Sequence, residues 1–363
     1  MIEHRFGEAG PPLSLGVEEE VMILDAESLD QVGEVHALLA EVGERELPGE
    51  LKTELFASVI ESNTHVCRDA VEAEAALREL RRIAADAAAA HGLAIACAAT
   101  HPFARPEAQP IVDEERYTSF VGYAGISARR QGVQGLHVHV GMPSGEDCWR
   151  ALEWALPWLP LVLALSANSP WLSGRLTGLA SNRAPVLAEL PRAGAPPAFG
   201  SYAGWEAWVE RLVDLGVAAD YTRIWWDARP HPRFGTLEIR MPDQPTALEQ
   251  TVRLAALLQA LAATGLEAPP PAAAHDRGFY QQNRWAASRF GPEAELIHPD
   301  GTRTARVPEL WDELLGRLEP AARALGTLPL LERLDATTCE GARQLDGDPR
   351  EVTAGIVART LAF

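Results

Sequence analysis

The sequence predicts an α+β fold built on a largely antiparallel sheet flanked by helices. Three observations lead there. Short stretches of alternating apolar and polar residues recur along the first two thirds of the chain. They are mixed with strong helical runs, without the regular strand–helix alternation of a parallel sheet. The glycine motifs of parallel α/β proteins are also missing, with no G-x-x-x-x-G-K-[ST] and no G-x-G-x-x-G.

Taken in order, residues 14–25 (SLGVEEEVMILD) alternate as a strand. Residues 50–62 (ELKTELFASVIES) read as a second extended stretch. Residues 69–91 predict a helix with Asp69 as its N-cap and Gly92 as its stop. Residues 93–100 form a short apolar strand, 114–131 look helical, and 133–143 (VQGLHVHVGMP) read as a strand. A helix follows over 146–168. Residues 170–200, rich in Gly, Pro, Ser and Asn, predict a long functional loop. Then come a helix at 205–217, an extended segment at 221–227, a turn through RPHPRFG, a strand at 236–242 and a helix at 246–266. Residues 267–275 form a linker and the rest is mostly helical. The 363 residues are expected to form one catalytic domain with a mostly helical C-terminal part, 267–363.

Composition narrows the function. A net charge of −19 argues against nucleic-acid or anionic-membrane partners and leaves small molecules and cations. Lys52 is the only lysine. The four cysteines are scattered and form no C-x-x-C pair, so reduced thiols in a cytoplasmic protein are expected. The N-terminus has no apolar leader segment, and the apolar run 154–167 is short and carries two prolines, so it predicts a buried helix. Neither H-E-x-x-H nor G-x-S-x-G occurs.

The chemistry-bearing residues lie on strand-like segments. Alternation puts Glu18 and Glu20 on one face with Glu19 opposite. That pair fits either a solvated edge or a site that takes a cation. His137 and His139 share a face in the same way and are either core residues or ligands. Glu54 and Glu61 are seven apart, so a bulge or turn must intervene if they converge. Glu238 and Arg240 share a face as a structural pair, or as a metal ligand beside a phosphate clamp. An oxygen-rich set with few histidines suits Mg²⁺ or Mn²⁺ better than zinc. Metals beside arginines fit phosphoryl transfer.

The stretches GVEEE, ELFASVIESNTHVC, GLHVHVG, TGLASNRAPVLAELPRAG and WWDARPHPRFGTLEIRMPD resemble the bacterial carboxylate–amine ligase family, related to type 2 glutamate–cysteine ligase. More distantly, two of them resemble strands of glutamine synthetase. The resemblance implies a glutamine-synthetase-like domain whose curved antiparallel sheet holds ATP and Mg²⁺. It assigns Glu18, Glu20, Glu54, Glu61, His137 and Glu238 to metal, with His139 a less certain neighbour beside the cofactor. It assigns Arg240 to phosphate. Arg183 and Arg229 are either binders of phosphate or of the substrate carboxylate, or loop-anchoring arginines bonded to carbonyls. His231 is expected to be structural, and Trp225 and Trp226 to be core.

The implied reaction forms an acyl phosphate from a carboxylate and ATP, then an amide with an amine. Glutamate is the default acid and cysteine the weaker guess for the amine; a homodimer is an expectation of the family alone. The loop 170–200 would close over the substrates. Alternatives are a metal-dependent phosphotransferase or ATPase on the same scaffold, and a non-catalytic nucleotide- or metal-binding relative.

Overall fold

The computed structural model describes residues 2–8 and 10–363. Its centre is the strand β1 (Leu15–Asp25), followed by helix α1 (Val35–Val42) and the hairpin β2 (Gly49–Thr53) and β3 (Val59–Thr64). Helix α2 (Ala70–Ala90) begins at Asp69, whose carboxylate accepts from the backbone N–H groups of Val71 and Glu72. After it come β4 (Leu93–Ala96), α3 (Glu115–Ala124), α4 (Ile126–Arg129) and β5 (Leu136–Gly141). Helices α5 (Gly145–Ala155) and α6 (Leu159–Ser166) follow, separated by a 3₁₀ turn that contains Pro157. Every residue of α6 is buried, as expected of the apolar run.

The 170–200 segment is more structured than a loop. It holds a small hairpin, β6 (Trp171–Leu172) with β7 (Arg175–Leu176), the short helix α7 (Arg183–Leu187), and β8 (Ala193–Gly194). Helix α8 (Tyr202–Asp214) leads to β9 (Trp225–Trp226), β10 (Ala228–His231) and β11 (Thr236–Ile239). The predicted turn through RPHPRFG is therefore half strand: its first residues form β10, and the turn begins only at Pro232. Pro230 is tolerated because β10 is the edge strand of the sheet. The chain ends with α9 (Leu248–Glu267), α10 (Arg277–Phe290), a hairpin of β12 (Glu295–Ile297) and β13 (Thr304–Arg306), α11 (Val307–Ala324), α12 (Leu328–Leu331) and α13 (Pro349–Thr360).

The main sheet has seven strands in the order β10-β11-β5-β1-β3-β2, with β4 also on β1. All its pairings are antiparallel. The fold is α+β with an antiparallel sheet, as the patterning predicts.

Alternation decides what faces where. Leu15 and Val17, Leu136, Val138 and Val140, and Leu237 and Ile239 share one core with residues of α5, α6 and α9. The intervening residues of the same strands, Glu18, His137, His139 and Glu238, must then project from the opposite face. Glu19 projects into the helices instead. It meets Arg81 of α2, whose Nε and Nη2 donate to its two oxygens at 2.8 and 2.6 Å. Thr251 Oγ1 and Gln244 Nε2 complete the carboxylate's bonding. Both charged side chains are fully buried. Removing one member of such a pair typically costs about 3–5 kcal/mol.

Candidate active site

Register assembles the site. Glu18 stands opposite His137, Glu20 opposite Glu61, His139 opposite Glu238, and Glu238 opposite Arg229. The hairpin solves the seven-residue spacing: Glu61 lies within β3, while Glu54 sits in the turn that precedes it. Glu54 and Glu20 then line one cavity.

Glu18 Oε2 lies 3.0 Å from His137 Nδ1, and Glu18 Oε1 lies 3.4 Å from His139 Nε2. Burial pushes the Glu18 carboxyl up, but the hydrogen bonds from both histidines outweigh it and hold it well below the ordinary range. His137 is pushed down to about 3 by burial and by Arg240, so it is neutral. Its Nδ1–H then donates to Glu18, and its Nε2 lone pair faces Arg183 Nη2 at 3.5 Å. Glu20 Oε2 accepts from Gly135 N–H at 2.6 Å. Burial and the charge of Glu54 still push the Glu20 carboxyl up to about 7. Glu61 is raised well above its usual range by burial and by Glu18 and Glu54, despite Lys52 Nζ at 3.2 Å.

Arg229 and Arg240 both grip Glu238. Arg229 Nε donates to Glu238 Oε2 at 2.6 Å, and its Nη1 also reaches the carbonyls of Thr222 and Ile224. Arg240 Nη1 donates to Glu238 Oε1. These arginines outweigh burial and hold the Glu238 carboxyl well below its ordinary range. Arg229 is thereby engaged on every side of its guanidinium. Arg240 keeps a face on the cavity that Glu20 and Glu54 line.

Arg183 is buried behind Gly135, where a Cβ would meet its Nη2 at 2.1 Å. A side chain at 135 would force the Arg183 guanidinium to move. The Arg183 segment is pinned by Asp243, which accepts from Ser181 Oγ at 2.8 Å and Ser169 Oγ at 2.6 Å. Among the functional-face residues, sequence reasoning missed Gln131, Gln134 and Phe234; no charge or spacing marks them. His231 is buried and caps the turn after β10 by accepting from Phe234 N–H.

Two cavities flank this cluster along β1. A large one of about 570 Å³ is lined by Gly16, Glu18, His139, Phe234 and Thr236. A small one of about 80 Å³ is lined by Glu20, Glu54, Gln131, Gln134 and Arg240.

Among the described residues no three acidic, histidine or cysteine side chains already converge as a ligand set. The donor chemistry nonetheless fits a hard divalent cation. Glu20, Glu54 and Glu61 are oxygen donors close together, and Glu20 and Glu61 are pushed up first by burial and then by neighbouring carboxylates.

A sequence profile described as "Glutamate-cysteine ligase family 2(GCS2)" matches residues 14–347. The chain belongs to that family. "Putative glutamate--cysteine ligase 2-3" of Rubrobacter xylanophilus is 43% identical over 332 residues, covering 91% of this chain and 90% of that protein. "Putative glutamate--cysteine ligase 2" of Herpetosiphon aurantiacus is 34% identical over 361 residues, covering 96% and 94%. The crystal structure of glutamate–cysteine ligase from Francisella tularensis in complex with AMP superposes with a TM-score of 0.73. It is 16% identical and covers 97% of this chain and 89% of that one. At that identity the likeness shows the shared fold. No helix among the described residues is long and apolar enough to cross a membrane.

Proposed function

We propose that this member of a carbon–nitrogen ligase family is an ATP-dependent carboxylate–amine ligase working through an acyl phosphate. The observation that carries the reading is one sheet face where Glu18, Glu20, Glu61, His137, Glu238 and Arg240 meet between a nucleotide-sized and a small cavity. The relatives' names favour glutamate as acid and cysteine as amine.

ATP belongs in the larger cavity, where Phe234 is 47% exposed and stacked on His231 at 4.1 Å between ring centroids. That stack offers an aromatic platform to a base. AMP bound to the Francisella tularensis enzyme supports a nucleotide on this fold. The acid enters from the smaller cavity, so that its carboxylate meets the γ-phosphate beside Arg240. A carboxylate oxygen attacks phosphorus, the bond to ADP breaks, and the amine then displaces phosphate from the acyl carbon.

Arg240 offsets charge on the transferred group. Arg229 holds Glu238 in place, and Arg183 backs His137. His139, beside Glu18 on the wall of the larger cavity, faces the nucleotide side. A divalent cation, Mg²⁺ or Mn²⁺, held among Glu18, Glu20, Glu54, Glu61, His137 and Glu238, would neutralise the triphosphate. Four buried free cysteines fit a reducing, cytoplasmic setting.

The test is ADP release and amide formation, followed by mass spectrometry, with Mg²⁺–ATP and paired acid and amine panels. Glu238→Gln should lower turnover about 10²–10³-fold with an unchanged circular-dichroism spectrum. ADP release that ignores the amine would replace the ligase by an ATPase or a kinase.

A further inference from the structure

Of the carboxylates proposed to hold the cation, all but one sit on strands. Glu18 and Glu20 lie on β1, Glu61 on β3 and Glu238 on β11, and register fixes the face from which each projects. Glu54 lies one residue past the end of β2, in the turn. The sheet cannot aim it.

Another part of the chain does. Residues 110–117 run along that turn. Ala57 N–H donates to Pro110 O at 2.9 Å, and Val112 N–H donates to Leu55 O at 3.0 Å. The start of α3 then grips Thr53. Thr53 Oγ1 donates to Glu114 Oε1 at 2.6 Å, and Arg116 Nη2 donates to Thr53 Oγ1 at 3.0 Å. The Tyr117 hydroxyl has a single proton to give. Its oxygen lies 2.9 Å from Thr53 O and 3.3 Å from Glu54 Oε2, so the proton forks between them. Among the described residues no other hydrogen bond reaches the Glu54 carboxylate, and Oε1 is left without one. Tyr117 itself is held in place. It is buried, the Arg116 guanidinium stands 4.3 Å from its ring centroid, and Phe120, one helical turn on, packs against Trp225 at 5.2 Å between centroids.

We infer that Tyr117 is a positioning residue whose hydroxyl aims the Glu54 carboxylate at a bound divalent cation. The inference rests on the metal-dependent ligase reading and adds a residue to it. A carboxylate on a turn otherwise samples several rotamers, and freezing it weakens binding when the ion arrives. The hydroxyl fixes that rotamer at folding instead, and Oε1 stays open to the ion. Hydrogen-bond partners of metal ligands typically change metal affinity by about 10–100-fold.

The experiment titrates the full chain with Mn²⁺ in the presence of an ATP analogue bridged by a β,γ-methylene group. Free Mn²⁺ is read by electron paramagnetic resonance. Tyr117→Phe removes one oxygen and keeps the ring. It should weaken Mn²⁺ binding about 10–100-fold with an unchanged circular-dichroism spectrum. Glu54→Ala should weaken it at least as much. Adding Tyr117→Phe to Glu54→Ala should cost no further affinity, because the hydroxyl then has no ligand to aim. A merely structural Tyr117 predicts the same loss with and without Glu54. That result, or wild-type affinity in either single variant, overturns the inference. So does a wild-type protein that binds no Mn²⁺. ADP release with acid and amine panels tests the underlying reading separately. If Mn²⁺ binding follows the expected pattern while no pair releases ADP, the ligase reading falls and Tyr117 keeps its role.

Discussion

Glu18, Glu19 and Glu20 are three identical side chains in a row with three different fates. Two histidines hold Glu18 ionised, Arg81 holds Glu19 ionised within the helical layer, and Glu20 is pushed up to about 7 by burial and by Glu54. A carboxyl raised on folding keeps a proton that the unfolded chain has lost. The folded state therefore binds more protons from about pH 4.5 to 7, and stability falls as pH rises through that window. Glu61 acts in the same direction. Glu20→Gln should flatten the fall, seen as a smaller difference between metal-free urea midpoints at pH 5 and pH 8. An unchanged difference would remove Glu20 from the account. The pairing of Glu18 with Glu20, and the separation of Glu19, were legible from strand alternation alone. Arg81 was not, because a partner 62 residues away in a different element leaves no local pattern.

Elements with their own periodicity were equally legible: β1, the capped α2, and α9 stand close to where the sequence puts them. The failures have local causes. Residues 50–62 look like one extended stretch because the turn between the arms of the β2–β3 hairpin, at 54–58, contains neither Gly nor Pro. β10 was hidden by Pro230, which an edge strand can carry. The predicted helix 114–131 breaks at Gly125, whose φ of 59° is left-handed. Helix packing gives a sharper test. Gly265 of α9 lies against α5, where a Cβ would meet Ala151 Cα at 2.8 Å and Ala151 O at 3.0 Å. Backbone cannot retreat as a flexible side chain would. Gly265→Val should therefore lower the unfolding free energy by about 1–3 kcal/mol, read from chemical denaturation. A neutral result would mean that α5 and α9 can slide apart freely.

Across the whole molecule, the C-terminal third carries no legible motif yet supports the sheet. Arg284 and Tyr280 of α10 both donate to Asp227, just ahead of β10, at 2.8 and 2.7 Å. Val352 and Ile356 of α13 pack on Met22 and Leu24 of β1, and Thr360 Oγ1 accepts from Cys97 N–H beside β4. The end of the chain thus seals the strand that carries Glu18 and Glu20. Ile356→Ala should cost about 2–5 kcal/mol of stability while turnover below the melting transition stays near the wild-type value. Stability within about 0.5 kcal/mol of wild type would mean that α13 merely rests on the surface.

The pairing of β1 on both flanks carries a consequence for descent. A strand held by β5 on one side and β3 on the other cannot lengthen, slip or bulge without dragging its neighbours along. Much of the small cavity's lining comes instead from stretches outside the main sheet, around residues 120, 131–134, 187–190 and 225, beside Glu20 of β1 and Val59 of β3. The strand that carries Glu18 and Glu20 and most of that cavity's apolar lining thus vary on separate parts of one chain. A duplicated gene can reshape that cavity by altering the periphery, while the strand that carries Glu18 and Glu20 passes on unchanged.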